Sequence, residues 1–232
     1  MSYFINIPLK FNTLDLYHVR ISIFNSINEN LSLFNGTLID IGCGKMPYRE
    51  YLLENSNIIN YIGLDIKTAK VYDTDISPDY TWDGIKMPFE NNQYDCAIAT
   101  EVLEHCPDPK VILKETYRIL KPGAPFIFTV PFLWPLHEVP HDEYRYTPFA
   151  LNRILDECGF KNIEIKALGG WNASLAQMLA LWVRRSKMSK YSRFLLSRML
   201  FPVYYFLIKT DKCPSEFKER TMITGLCGIA YK

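Results

Sequence analysis

Residues 38–44 read Leu-Ile-Asp-Ile-Gly-Cys-Gly, an apolar run that ends in two glycines one residue apart. The pattern predicts a buried strand followed by a tight turn. Because glycine has no Cβ, the chain can bend sharply there and a ligand can lie against the backbone. Open α/β sheets bind ligands at the carboxyl ends of their strands. The segment therefore predicts a ligand site directly after this strand.

Two phosphate-binding motifs fit this turn poorly. The dinucleotide fingerprint requires a third glycine at the position of Pro47, and the P-loop requires a Gly-Lys-Ser/Thr sequence that does not follow. Pro47 instead suits the first turn of a helix. A small ligand that carries a carboxylate remains compatible with the turn.

An acidic residue, Asp65, lies 21 positions after Gly44, near the end of the apolar run 61–66. A carboxylate at the tip of the second strand can accept hydrogen bonds from both hydroxyls of a ribose. Each such charged hydrogen bond contributes about 1.5–3 kcal/mol. Asp65 therefore predicts a nucleoside ligand, and the alternative is that it only caps the following turn.

Short apolar runs alternate with amphipathic segments along the chain, and such alternation predicts βαβ units and a mostly parallel sheet. Asn35 and Gly36 predict a turn ahead of the first strand. We predict strands at 38–41, 61–66, 94–99, 125–130, 161–167 and 223–231, and helices at 12–30, 47–53, 109–120, 148–158 and over most of 173–206.

The composition is that of a soluble globular protein. Apolar residues make up 48% and charged residues 22% of the 232, which excludes collagen, a disordered tail and a multi-pass membrane protein. The six cysteines lie far apart and form no Cys-x-x-Cys pair. Residues 1–9 lack the pattern of a signal peptide. We therefore expect a reduced, cytoplasmic protein.

Five motifs stand in order between residues 38 and 130. They are Asp-Ile-Gly-Cys-Gly at 40–44, Asp65, Asp-Gly-Ile-Lys-Met-Pro-Phe at 83–89, the segment 94–105 with Thr-Glu-Val-Leu-Glu-His at its end, and Leu-Lys-Pro-Gly at 120–123. Together they resemble the motifs of class I S-adenosylmethionine-dependent methyltransferases of the type 11-like kind. The segment Lys45-Met46-Pro47 departs from the family pattern, in which a small residue and a further glycine are common.

The resemblance implies S-adenosylmethionine as the cofactor and assigns residues to its parts. The glycine turn would face the methionine portion, Asp65 the ribose, and Ile66 and Asp83 the adenine. The implied cofactor-binding residues are Asp40, Gly42, Cys43, Gly44, Asp65, Ile66, Asp83, Gly84, Thr100 and Glu101.

The resemblance also implies a fold. It is a Rossmann-like α/β methyltransferase fold, with a mostly parallel seven-stranded sheet, an antiparallel last strand and a C-terminal helical cap. Within one domain of residues 1–232 we expect an N-terminal helical segment (1–36), a cofactor-binding core (37–170), the cap (171–220) and the last strand (221–232).

Methyl transfer from a sulfonium to a hydroxyl requires in-line alignment and a group that takes the proton. We predict His105 and His141 for that role. The loop after the fifth strand offers a substrate wall of Trp134, His137, Asp142 and Arg145, with the alternative that its polar residues only brace the loop.

The ending of this loop, Arg145-Tyr146-Thr147-Pro148, resembles a bacterial methyltransferase subgroup linked with polysaccharide biosynthesis. The resemblance implies O-methylation of a small-molecule or glycan-type acceptor. Two alternatives remain open. One is an accessory protein that binds cofactor or membrane without turnover, and the other is a small-molecule N-methyltransferase.

Two strings resemble metal sites. Glu101, Glu104 and His105 match a string that holds a divalent ion in some methyltransferases, but no further ligand can be assigned from sequence. Residues 137–141 match the zinc-protease string His-Glu-x-x-His, which requires a helix that Pro140 would break. We therefore expect no metal.

The net charge of +1 conceals an uneven distribution, because residues 184–220 hold ten basic and three acidic side chains. Nucleic acid is an improbable partner, since the remaining chain is not basic and the Asp/Asn-Pro-Pro-Tyr/Phe motif of base methylation is absent after the fourth strand. For the segment 184–208 we favour a cap with a solvated basic face, and the alternative is peripheral contact with an anionic membrane.

Overall fold

The structure, a computed structural model, describes residues 3–68 and 76–232. It is an α/β fold in which one seven-stranded sheet lies between helices. The strands are β1 (Asn35–Ile41), β2 (Asn57–Ile66), β3 (Tyr80–Trp82), β4 (Cys96–Thr100), β5 (Pro125–Pro131), β6 (Lys161–Ala167) and β7 (Gly225–Tyr231). The α-helices are α1 (Leu14–Glu29), α2 (Arg49–Asn55), α3 (Pro109–Ile119), α4 (Pro148–Glu157), α5 (Trp171–Arg185) and α6 (Lys190–Thr210).

The strand order is β3-β2-β1-β4-β5-β7-β6. Strands β1 to β5 pair in parallel, and β7 pairs antiparallel with both β5 and β6. The predicted fold, mostly parallel with an antiparallel last strand, is confirmed. The strand order reverses at β1, because β2 and β3 lie on one side of it and β4 and β5 lie on the other. The carboxyl ends of β1, β2 and β4 therefore form one edge where a ligand can bind.

Alternating residues of the central strands feed two separate cores. Ile39 and Ile41 pack on the side of α3 and α4, whereas Leu38 packs on the side of α1 and α2. The period of two in a strand produces this division. Because both faces are covered, β1, β4 and β5 consist of near-continuous apolar runs, which made them recognisable in the sequence.

Helices α5 and α6 form a layer with α1. Their contact is a small apolar cluster around Leu14, Ala176 and Tyr204. Asp15 of α1 also pairs with Arg185 (2.9 Å) and with Arg184 (3.7 Å) at the end of α5. The carboxylate of Asp15, near the start of α1, therefore pairs with two charges of the basic segment and links α1 to the end of α5.

The structure corrects one local prediction and adds detail to two others. Asn35 and Gly36 lie within β1, where the register shifts by one residue and Gly36 takes φ +61°, so the bend is a bulge rather than a turn before the strand. The helical structure expected over most of 173–206 is confirmed, and it consists of two helices separated by residues 186–189. Strand β3 was absent from the pattern-based strands because its three residues are too few to show a period.

Candidate functional site

The turn after β1 is built from two glycines in left-handed conformation, Gly42 at φ +70° and Gly44 at φ +48°. The amides of Gly42 and Cys43 donate to the carbonyl of Leu64 at 2.8 and 3.1 Å. A Cβ on Gly42 would lie 2.6 Å from a methyl of Val102, but one on Gly44 would meet no atom within 4 Å. Gly42 is therefore required for packing, while Gly44 presents bare backbone to open space.

Asp65 lies beside this open backbone. Its Oδ2 accepts a hydrogen bond from the Gly44 amide at 3.0 Å, and its Oδ1 accepts one from the Ile66 amide at 2.8 Å. An ionised carboxylate has about four acceptor positions, so each oxygen keeps capacity for a further donor. Burial raises the pKa of the half-buried Asp65. The geometry fits the two hydroxyls of a ribose.

An apolar side chain and a turn that contains glycine lie near Asp65. Ile66 is 38% exposed, and a Cβ on Gly84 (φ +84°) would lie 3.3 Å from its Cδ1. Asp83 is exposed, and its Oδ1 accepts hydrogen bonds from the amides of Ile85 and Lys86, which hold its pKa below the ordinary value. The residues implied for adenine are thus adjacent in space and accessible.

Asp40 lies in β1, two residues before Gly42, and is almost fully buried. It accepts a hydrogen bond from the hydroxyl of Tyr61 on β2. Burial raises the pKa of Asp40 to about 7. Asp40 therefore supports the strand behind the glycines, and its contact with Tyr61 could not be found from the motif.

The end of β4 carries Thr100 and Glu101. Glu101 takes φ +56°, its amide donates to the Thr129 carbonyl at 3.0 Å, and its carboxylate accepts from the Thr129 hydroxyl at 2.9 Å. Burial raises the pKa of Glu101 to about 7, and the charge of Arg20 on α1 opposes that rise. Glu101 and Trp134 both line a small indentation of the surface.

Two residues near the site were missed by sequence reasoning. The charge of Arg20 on α1 acts on the carboxylate of Glu101. Asp79 accepts a hydrogen bond from the amide of Gly63 at 2.7 Å and pairs with Arg49 at 3.4 Å. Neither residue belongs to a recognisable motif. Their positions follow from the packing of separate elements, which no local pattern in the sequence encodes.

A second group of polar side chains follows β4. Glu104 is fully buried, His105 Nε2 lies 3.6 Å from its Oε1, and the rings of His105 and His137 meet edge to face with centroids 4.7 Å apart. Burial and the charge of Glu101 raise the pKa of Glu104 well above its ordinary value. The structure thus brings residues from two separate motifs together.

The loop after β5 is braced by its own charges. Arg145 holds both oxygens of Asp142 at 2.6 and 2.8 Å, and Asp142 Oδ2 contacts Nδ1 of His137 at 3.3 Å. The side chain of Asp142 is 1% exposed. Asp142 and Arg145 therefore position the loop, which supports the alternative that these polar residues brace the loop rather than bind substrate.

The remaining loop residues are placed differently. The guanidinium of Arg185 lies 4.8 Å from the centre of the Trp134 ring, which joins the loop to the end of α5. The side chain of His141 is exposed, and its carbonyl, not its ring, reaches the site by accepting a hydrogen bond from His105 Nδ1 at 2.9 Å. Residues 137–141 are not helical, as Pro140 led us to expect.

Residues 39–128 match the family described as Methyltransferase domain. Residues 39–128 therefore form a methyltransferase domain, and its cofactor is S-adenosylmethionine.

Relatives of this domain have varied names. The chain is 27% identical over 115 residues to a ubiquinone biosynthesis O-methyltransferase of Pseudomonas entomophila (strain L48), covering 45% of this chain and 48% of that protein. It is 35% identical over 134 residues to cycloartenol-C-24-methyltransferase 1 of Oryza sativa subsp. japonica, covering 54% and 37%. The chain thus spans about half the length, or less, of these curated relatives.

A solved structure resembles this chain over nearly its whole length. It is a SAM-dependent methyltransferase from Archaeoglobus fulgidus, with a TM-score of 0.57, 17% identity, and coverage of 93% of this chain and 94% of that one. At this identity the likeness shows the fold. It extends beyond residues 39–128 to the strands and helices on either side.

Proposed function

We propose that this chain is an S-adenosylmethionine-dependent O-methyltransferase that acts on a small-molecule or glycan-type hydroxyl acceptor. The observation that carries the proposal is the bare backbone of Gly44 beside the carboxylate of Asp65, at the edge where β1 and β2 end. When bound, S-adenosylmethionine supplies an electrophilic methyl group on a sulfonium. Alignment of the acceptor by the protein can then supply about 7–11 kcal/mol of the barrier.

A hydroxyl acceptor needs a group near it that takes its proton. His105 follows β4 and is oriented by the carbonyl of His141, which supports His105 over the exposed ring of His141 for this role. The name of the ubiquinone biosynthesis O-methyltransferases also favours oxygen as the methylated atom. Trp134 lines a small, mostly apolar indentation beside Glu101, which supports a place for an apolar part of the acceptor.

The cap favours an acceptor presented at an anionic membrane. Eleven large apolar side chains of α5 and α6 are exposed, and exposed basic side chains, including Lys187, Lys190 and Arg198, lie among them. Bulky apolar residues beside lysine and arginine suit the boundary of an anionic bilayer. Within the described residues, no helix is long and apolar enough to cross a membrane.

The proposal is tested by methyl transfer. The purified chain is incubated with radiolabelled S-adenosylmethionine and separate hydroxyl acceptors, namely oligosaccharides and phenols, and with primary amines as the alternative class. We expect labelled product from a hydroxyl acceptor, with Asp65→Ala inactive. Asp156→Ala is the matched control, because Asp156 is exposed and pairs with Lys161 at the surface.

Transfer only to amines would replace O-methylation with N-methylation. Binding of S-adenosylhomocysteine without transfer to any acceptor class would favour an accessory protein that has no turnover. Both results are distinct from the expected one.

A further inference from the structure

Glu104 is a buried carboxylate whose side-chain oxygens lack hydrogen-bond donors among the described residues. Its side chain is fully buried, and neither oxygen has a hydrogen-bond partner among residues 3–68 and 76–232. A buried polar group left without a partner costs about 1–3 kcal/mol, and a charged one costs more. A fold that keeps such a group generally has a reason for it, such as an ion that the group binds.

Two histidines present ring nitrogens toward this carboxylate. His105 Nδ1 lies 2.9 Å from the His141 carbonyl, so Nδ1 carries the hydrogen and Nε2 is left as an acceptor, 3.6 Å from Glu104 Oε1. His137 Nδ1 lies 3.3 Å from Asp142 Oδ2, which likewise leaves Nε2 of that ring as an acceptor. Metal-binding histidines are held in this way, by a carbonyl or carboxylate on the second nitrogen.

We propose that Glu104, His105 and His137 bind one divalent transition-metal ion. One ligand atom from each residue lies within 4.8 Å of the other two. Bonds to zinc are about 2.0–2.2 Å, so an ion would draw the three side chains slightly together. Two imidazoles and one carboxylate suit zinc and its first-row neighbours, whereas calcium and magnesium prefer oxygen ligands alone.

The sequence alone did not identify this site, because His137 lies 32 residues beyond His105 and the loop between them had no assigned shape. The Asp142–Arg145 pair fixes that loop and thereby orients His137. The ligand atoms that lie within 4.8 Å of one another come from Glu104, His105 and His137, and the carboxylate of Glu101 instead accepts a hydrogen bond from Thr129. Three protein ligands leave coordination positions for water or another oxygen ligand.

The assignment changes the role of His105. A nitrogen that binds the ion does not take a proton from an acceptor, so His105 would be a metal ligand rather than the proton acceptor. The metal site does not require methyl transfer, and the two proposals can fail separately.

The test measures metal binding without turnover. Chelator-stripped full-length protein is titrated with Co²⁺ and followed by its visible absorption, and Zn²⁺ affinity is measured by competition with a chromophoric chelator. We expect one ion per chain and at least a tenfold loss of affinity in each of His105→Ala, His137→Ala and Glu104→Gln. The matched control His141→Ala should bind like wild type, because only its backbone carbonyl contacts the site.

Absence of binding by the wild type, unchanged affinity in the three ligand variants, or an equal loss in His141→Ala would each overturn the site. Circular dichroism and S-adenosylhomocysteine binding check that each variant is folded. Glu104→Gln preserves side-chain size if the alanine variants prove unstable. Methyl transfer by the stripped protein at the full rate would leave the proposed function intact and exclude a catalytic role for the ion.

Discussion

The backbone amide of Gly44 donates a 3.0 Å hydrogen bond to Oδ2 of Asp65, which ties the turn after β1 to the end of β2. Because Asp65 Oδ1 accepts from the Ile66 amide, both carboxylate oxygens are held in place before any ligand arrives. A group fixed in this way loses little conformational freedom on binding, and such preorganisation favours affinity.

Gly44→Ala should separate cofactor binding from folding. The positive φ of Gly44 makes alanine strained by about 1–2 kcal/mol, and its methyl would point into the open space beside the turn. We expect at least a tenfold loss of S-adenosylhomocysteine affinity by calorimetry with only a modest loss of stability. Gly123→Ala is the matched control, since Gly123 also has a positive φ and open space but lies between α3 and the start of β5. Equal affinities in the two variants would contradict the assignment.

Asp40→Asn should change how stability depends on pH. Because burial raises the pKa of Asp40 to about 7, the folded state holds a proton that the unfolded state has released between about pH 4 and 7. The contribution of Asp40 to the free energy of unfolding is therefore largest below about pH 4. It decreases as the pH rises to about 7 and is constant above that pH.

The measurement is urea unfolding at pH 5 and at pH 8. Wild type should lose about 3 kcal/mol more than Asp40→Asn over this interval, because asparagine can still accept from Tyr61 but does not ionise. Parallel losses in the two proteins would show that Asp40 does not titrate in the folded state as described.

Arg145→Leu should destabilise the loop after β5. It leaves Asp142, with a side chain only 1% exposed, without its bidentate partner, and breaking such a buried pair costs about 3 kcal/mol. The control Lys161→Leu breaks an exposed pair with Asp156 and should cost under about 1 kcal/mol. Urea unfolding measures both, and equal costs would mean that the Asp142–Arg145 pair does not brace the loop.

The basic face of the cap should bind anionic vesicles. Lys187 and Lys190 are exposed, and each basic residue near an anionic surface contributes about 1 kcal/mol. In a flotation assay with phosphatidylglycerol vesicles, Lys187→Glu/Lys190→Glu should bind at least tenfold more weakly than wild type. Lys114→Glu/Lys166→Glu, outside the cap, should bind normally. Failure of the wild type to float at low salt would exclude membrane contact.

Local patterns explain which parts could be predicted. The residues from Leu38 to Gly44 and Asp65 were identifiable because strand burial and turn geometry depend on neighbours in the sequence. The approach of His137 to Glu104 was not, because it depends on how a long loop folds around the Asp142–Arg145 pair. The site at the glycine turn is local, whereas the histidine group is a product of tertiary structure.

The central claim, that the turn and Asp65 hold the cofactor, is tested most directly by calorimetric titration of S-adenosylhomocysteine into wild type, Asp65→Ala and the control Asp156→Ala. Two charged hydrogen bonds to a ribose are together worth about 3 kcal/mol or more. We predict one equivalent bound by wild type and by Asp156→Ala, and a loss of about a hundredfold or more in folded Asp65→Ala. Wild-type affinity in Asp65→Ala would contradict the account.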